Sequence, residues 1–239
     1  MDMGGVMNSC NEMNSGAEVN NAAQILEGIF LEQGRFDREQ WALFLELLEN
    51  GKIRVVDRLL DGSWKVNAWV KQAILSGFRA GGIAEWSWPA EGFYDRPAFP
   101  PRHFARSDGV RIVPGGSAVR RGAYIAQGVV IMPPSYINTG AFVDQDTMVD
   151  SHVLVGSCAQ IGKKVHLSAG AQIGGVLEPP QANPVIIEDE VFIGGMCGTR
   201  PARGSYAEGL GISLAAPCIV KYRDEKTDSA VILESALRG

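Results

Sequence analysis

The stretch Val155–Gly175, VGSCAQIGKKVHLSAGAQIGG, sets five glycines beside one cysteine and one histidine. It can be read as a phosphate loop, a metal site, a Cys/His nucleophile pair or a structural repeat. A phosphate loop needs GxxxxGK and then Ser or Thr, between a strand and a helix. In GSCAQIGKK, Lys164 stands where the hydroxyl belongs, and no helical pattern follows.

Spacing decides the matter. Every sixth position from Val113 is aliphatic: Val113, Val119, Ile125, Ile131, Ile137, Val143, Val149, Val155, Ile161, Leu167 and Ile173. At ordinary composition, chance yields such a run less than about once in ten million. Two residues before each stands a small or β-branched residue, from Ser117 and Ala123 to Val165 and Ala171; Arg111 is the exception. A period of six is neither helical nor a plain alternating strand. It fits a short strand with two inward residues, then a corner, with three sides closing one coil of about eighteen residues. The glycines Gly156, Gly162 and Gly174 then fall at corners. The fold expected is mainly β, a parallel β-helix of hexapeptide repeats. Its rhythm breaks at GVLEPPQANPVI and resumes two residues out of phase at Ile187 and Ile193. A loop bulging from a solenoid corner is a usual place for binding residues.

Ahead of the repeats the pattern is helical. NAAQILEGIFLEQG carries Ile25, Leu26, Ile29 and Phe30, with Gly34 as a stop. DREQWALFLELLENG has Asp37 as N-cap, a stripe of Trp41, Phe44, Leu45 and Leu48, and Asn50-Gly51 as its end. KIRVVDRLLDGSWKV reads as a hairpin about Asp61-Gly62, and NAWVKQAILSGFRAGG as a third amphipathic helix. The aromatic and proline-rich segment from Trp86 to Pro101 reads as a linker. The division expected is a flexible N-terminus over 1–20, an α-rich domain and linker over 21–108, a β-helix over 109–199, and a C-terminal segment over 200–239 with a short strand and helix in CIVKYRDEKTDSAVILESAL.

Totals narrow the partners. A net charge of -5 gives no reason to expect nucleic acid. The cysteines Cys10, Cys158, Cys197 and Cys218 form no CxxC, and no run has the length of a membrane span. The polar start MDMGGVMNSCNEMNSG lacks a signal peptide's apolar core, so a cytoplasmic chain with reduced thiols and no membrane partner is expected.

Three histidines, His103, His152 and His166, with His103 ahead of the coils, leave too few imidazoles for a solenoid zinc hydrolase, and no metal is expected. His166 precedes the inward Leu167, so it points outward, one coil from Met148. Cys158 reads as a small corner residue with nothing nearby to activate its thiol. The candidate chemistry lies in DQDTMVDSH. There Asp144, Asp146 and Asp150 concentrate charge at one edge, and His152 follows two residues on. Such a group suits binding an amine and taking its proton before attack on a thioester. Asp150 could equally bond its own turn. Arg111, a charge where the pattern reserves a small residue, is a candidate for holding a substrate carboxylate. Glu178, in the inserted loop, is a further substrate-binding candidate.

These motifs resemble one family. GVRIVPG, RRGAYIA, GAFVDQDTMVDS, VGSCAQIGKKVHLS and IGGVLEPPQANPVIIED are similar to the tetrahydrodipicolinate N-succinyltransferases of lysine biosynthesis, and ENGKIRVVDRLLDGSWKVNAWVKQAILSGFR to that family's N-terminal domain. The resemblance implies a left-handed β-helix and a homotrimer with sites between subunits. It implies transfer of succinyl from succinyl-CoA, a co-substrate and not a resident cofactor, to the amine of L-2-amino-6-oxopimelate. By motif, Arg111 and Asp150 match substrate-binding positions, with Asp150 at the amine. Three departures stand out: His152 replaces a tryptophan, Gly198 replaces a glutamate proposed as catalytic, and several further coils that carry much of the CoA groove are missing. Two other readings follow from these. One is a paralogue acylating a related amino acid precursor, as in tabtoxin biosynthesis. The other is a non-catalytic solenoid trimer.

Overall fold

The computed structural model describes residues 16–80, 84–86, 93–100, 102–194 and 198–216. Helix α1 spans Gly16–Gln33 and α2 spans Arg38–Glu49. Asp37 caps α2 in a capping box with Gln40: its carboxylate accepts the Glu39 and Gln40 N–H groups, and the Gln40 side chain accepts the Asp37 N–H. The expected hairpin is β1 (Val56–Arg58) against β2 (Trp64–Val66), antiparallel, and it leads into α3 (Ala68–Arg79). Leu26, Phe30, Phe44, Leu45, Leu48, Val70 and Ile74 bury the apolar stripes of all three helices in one core.

The segment read as a linker is built into the fold. Its β4 (Phe93–Asp95) pairs antiparallel with β3 (Ala84–Trp86), which ends where the segment begins, and its Phe99 is buried between Trp41 and Phe78. Proline hides helical and strand periods alike, so sequence patterning misses such an anchor.

Thirteen two-residue strands follow. They are β5 (Arg111–Ile112), β6 (Ala118–Val119), β7 (Tyr124–Ile125), β8 (Val130–Ile131), β9 (Tyr136–Ile137), β10 (Phe142–Val143) and β11 (Met148–Val149). Then come β12 (Leu154–Val155), β13 (Gln160–Ile161), β14 (His166–Leu167), β15 (Gln172–Ile173), β16 (Ile186–Ile187) and β17 (Phe192–Ile193). They stack as three parallel sheets, in the orders β16-β13-β10-β7, β17-β14-β11-β8-β5 and β15-β12-β9-β6. The result is a three-sided β-solenoid, and we name its faces after Tyr124, Val130 and Tyr136. The paired inward residues from Ala123 and Ile125 to Ala171 and Ile173 form one core, as the six-residue period requires.

The corners correct one expectation. Gly156 and Gly162 do stand at corners, but the left-handed conformation falls two residues later, on Cys158 and Lys164, as it does on His152 and Gly170 after Asp150 and Ser168; Gly174 opens the inserted loop. Corners therefore repeat at eighteen residues: Gly122, Gly140 and Cys158 on one edge, Gly128, Asp146 and Lys164 on another. Gly156 and Gly162 are needed for a different reason. A Cβ on Gly156 would meet the Gly175 backbone at 2.2 Å, and one on Gly162 would meet Asp189 Oδ1 at 2.4 Å.

The inserted loop leaves after β15, and β16 then pairs with β13, Ile161 facing Ile187. The coil absorbs eight extra residues at the corner between the Tyr136 and Tyr124 faces without losing register. After β17 the parallel stack ends. The chain continues as β18 (Gly198–Pro201), the short helix α4 (Ser205–Gly209) and β19 (Ser213–Ala216), with β18 and β19 antiparallel. The strand and helix expected over 218–237 lie outside the described residues. Among the described residues no helix is long and apolar enough to cross a membrane.

The helical part sits on the Tyr124 face. Tyr124 and Phe142 stack with centroids 4.4 Å apart, and the Arg54 guanidinium lies 3.7 Å over the Phe142 ring while bonding Gln160 Oε1. Burial pushes the Arg54 pKa down, and the Asp144 carboxylate pulls it part of the way back. Arg121 pairs with Glu49, and Arg120 with Asp95.

Candidate active site

The four candidate site residues are set by position in the coil. Asp150 follows Val149 at the corner between the Val130 and Tyr136 faces. Its Oδ1 accepts the Ser151 N–H at 2.7 Å, so the turn-stabilising role weighed for it is present. A carboxylate offers about four acceptor directions, so this bond leaves capacity for an amine. His152 turns the same corner in the left-handed region, at φ 61°. Its backbone N–H donates to Pro134 O at 2.6 Å, and its carbonyl accepts Gln172 Nε2 at 3.0 Å. The backbone of His152 is thereby fixed to the coils on either side. The residue borders a shallow groove of about 340 Å³ on the Tyr136 face, lined also by Ala118, Ser135, Tyr136, Leu154 and Gln172.

The acidic cluster expected at one edge is divided. Asp144 and Asp146 occupy the corner between the Tyr124 and Val130 faces, one side of the triangle away from Asp150. The cause is the period itself: six residues carry the chain to the next corner. Asp144 Oδ1 accepts the Gln145 N–H, and Asp146 lies over Gly128, whose added Cβ would stand 2.2 Å from Oδ1.

Arg111 also departs from expectation. The six-residue count makes it an inward misfit, with Val113 as the first inward residue. The register pairs Arg111 with Val130 and Ile112 with Ile131, nineteen residues apart where every other coil has eighteen until the inserted loop. The first coil holds one extra residue, so Val110 and Ile112 take the inward places and Arg111 points outward. A one-residue shift reverses the facing of a strand. Arg111 therefore heads an outer column with Val130, Met148, His166 and Phe192, two rungs or about 10 Å from Met148. His166 stacks on Phe192 at 4.4 Å in this column, as its outward direction predicted.

Glu178 lies elsewhere in the chain, on the loop at the corner between the Tyr136 and Tyr124 faces. It is 65% exposed, 3.8 Å from Arg79 of α3. A single chain thus joins Asp150 to His152, sets Arg111 on the adjoining face, and keeps Glu178 apart. Gly198, at the position of the missing glutamate, opens β18 after the solenoid has ended.

Cys158 is fully buried between its corner and the helices, and burial pushes its thiol up to about 12. It is a packing residue, not a nucleophile. Among the described residues no group of three His, Cys, Asp or Glu could hold a metal ion. The sequence reading passed over Lys71. It falls on the inward stripe of α3 with Val70, Ile74 and Gly77, and a lysine in that stripe was the available signal.

A family model described as tetrahydrodipicolinate N-succinyltransferase N-terminal matches residues 32–80. A 2,3,4,5-tetrahydropyridine-2,6-dicarboxylate N-succinyltransferase of Bradyrhizobium diazoefficiens is 42% identical, over 92% of this chain and 84% of its own. One of Nitrobacter winogradskyi is 49% identical over 70% of this chain and 58% of its own. A solved structure bearing a related succinyltransferase title, from Campylobacter jejuni, covers 66% of this chain and 49% of its own. Its TM-score of 0.36 and 20% identity are too low to bear on the geometry.

Proposed function

The chain belongs to the tetrahydrodipicolinate N-succinyltransferase family, and on that premise we propose that it transfers succinyl from succinyl-CoA to the amine of ring-opened tetrahydrodipicolinate in lysine biosynthesis. The observation that carries this reading is the 42% identity spread over 92% of the chain. The Asp150–His152 corner supplies a local chemistry that suits it.

The reaction is direct. The amine nitrogen attacks the thioester carbonyl, the C–N bond forms, and the C–S bond breaks. Asp150 orients the amine, and Asp150 or His152 accepts the proton that the nitrogen loses; the CoA thiolate is then protonated as it leaves. A positioned base of this kind contributes about 10²–10⁴-fold. Arg111, on the outer face, holds a substrate carboxylate, and Glu178 contacts substrate from the inserted loop. Because one chain keeps Glu178 on a different corner from Asp150, a complete site calls for a neighbouring subunit. This supports a site shared between the subunits of a homotrimer, with the co-substrate along the groove beside His152.

The assay is release of free CoA thiol from succinyl-CoA. Release only when tetrahydrodipicolinate is present supports the reading. No release, or release independent of the acceptor, overturns it. Gly198 and His152 favour one alternative, a paralogue with a related acceptor; thiol release with another amine and none with tetrahydrodipicolinate identifies it.

A further inference from the structure

Lys71 is 0% exposed, near the start of α3. Its Nζ donates to the carbonyl of Ala182, inside the inserted loop, at 2.5 Å. Taking an ammonium out of water is costly even after relaxation, unless partners replace the lost water. An apolar side chain would fill the same stripe without that cost. The lysine is therefore explained by what it holds and not by what it fills.

What it holds is a segment with few other means of fixation. The loop carries Pro179, Pro180 and Pro184, which lack the N–H needed for a strand ladder. Its own backbone bonds are sparse: Val176 N–H to Ser157 O, and Ala182 N–H to Pro179 O. Where the chain rejoins the solenoid, the Val185 carbonyl accepts the Gln160 N–H. The middle of the loop is held by the helical part. Leu177 packs into the helical core. Arg79, eight residues beyond Lys71 and about 12 Å further along α3, stands 3.8 Å from Glu178. Helix α3 thus runs beside the loop, with one deep contact at Lys71 and one exposed contact at Arg79.

We infer that Lys71 is a positioning residue for the acceptor site: through the Ala182 carbonyl it fixes the inserted loop, and with it the carboxylate of Glu178. The inference rests on the reading of Glu178 as a substrate contact. It also gives the N-terminal helical part a role in the reaction, although none of its residues need touch the reacting atoms.

The test compares the full-length wild type with Lys71→Met and Lys71→Arg, by hydrogen–deuterium exchange and by steady-state kinetics with succinyl-CoA and tetrahydrodipicolinate. Lys71→Met keeps the apolar stem and removes the donor. Its loop amides over 174–185 should exchange about tenfold faster, with solenoid amides over 142–167 unchanged. The KM for the acceptor should rise about fivefold or more with kcat nearly unchanged, and Lys71→Arg should restore both. Native loop exchange in Lys71→Met, or a freed loop with unchanged KM, overturns the inference. If Lys71→Met does not fold, native-state exchange of the wild type decides: loop and α3 amides must lose protection together at low denaturant, ahead of the solenoid, and separate opening overturns the inference. A wild type that releases no thiol sinks the acyl-transfer reading instead, and the exchange experiment still judges the clamp.

Discussion

Gly77 of α3 faces the indole of Trp41 of α2 with no room for a side chain: a Cβ there would stand 2.3 Å from Cη2. The ring cannot step aside. Its N–H donates to Ala98 O at 2.7 Å, and Phe44 and Phe99 flank it. Gly77→Ala gains about 1 kcal/mol of helix propensity and loses roughly 1–3 kcal/mol to overpacking. The variant should unfold at a lower temperature than wild type. An equal or higher midpoint would show that the two helices separate without cost.

Asp150 combines a turn bond with a proposed catalytic role, and two substitutions separate them. Asp150→Asn keeps an oxygen for the Ser151 N–H and loses the base, so turnover should drop about 10²-fold or more with stability near wild type. Asp150→Ala should lose both, with about 1 kcal/mol of stability gone with the turn bond. Wild-type turnover in Asp150→Asn would remove the carboxylate from the mechanism.

His152 must be replaced by a residue that accepts the left-handed region, or backbone strain will imitate a chemical loss. Asparagine does so. His152→Asn should retain the thermal midpoint and slow thiol release if the imidazole takes the proton. Unchanged kcat assigns that step to Asp150 alone.

Arg54→Met removes the guanidinium over Phe142 and, with it, the donors to Gln160 Oε1, which lies on a fully buried side chain. Leaving that acceptor unpaired should cost about 1–3 kcal/mol, read as a lower denaturant midpoint. No shift would mean that the contact between the helical part and the Tyr124 face does not depend on this bond.

Cys158 has its thiol raised to about 12 from 9.0 by burial. The unfolded thiol ionises first, so stability is fully present below pH 9 and falls as pH rises toward 12, by at most about 1.4 kcal/mol per unit. In a chain with Cys10, Cys197 and Cys218 changed to Ser, an aromatic disulfide reagent at pH 8 should label Cys158 only after unfolding. Rapid labelling of the native chain would contradict the burial.

The repeat was legible because a solenoid buries the same two residues on every side, so its core is written into the sequence at a fixed interval. Val119 to Ile173 could be placed without any tertiary information, and so could the Asp37 cap and the hairpin about Asp61-Gly62, because each is a local signal. Arg111 was misjudged for the same reason that Val119 was not. Counting in sixes presumes an unbroken register, and one extra residue in the first coil turns the side chain from inside to outside. Asp144 and Asp146 are close to Asp150 in sequence and occupy a different corner from it, since six residues of solenoid carry the chain around a vertex.

By itself, the sequence determined the coil, its inward residues from Val119 to Ile173, the site of the inserted loop and the family. Only the tertiary structure decided which face the helices cover, that His152, Cys158 and Lys164 take the left-handed corners, and that Lys71 reaches the Ala182 carbonyl. The physical reason is distance along the chain. Periodicity records contacts that recur every few residues, whereas a lysine on a helix and a carbonyl 111 residues later meet only when both are packed on the same side of the solenoid.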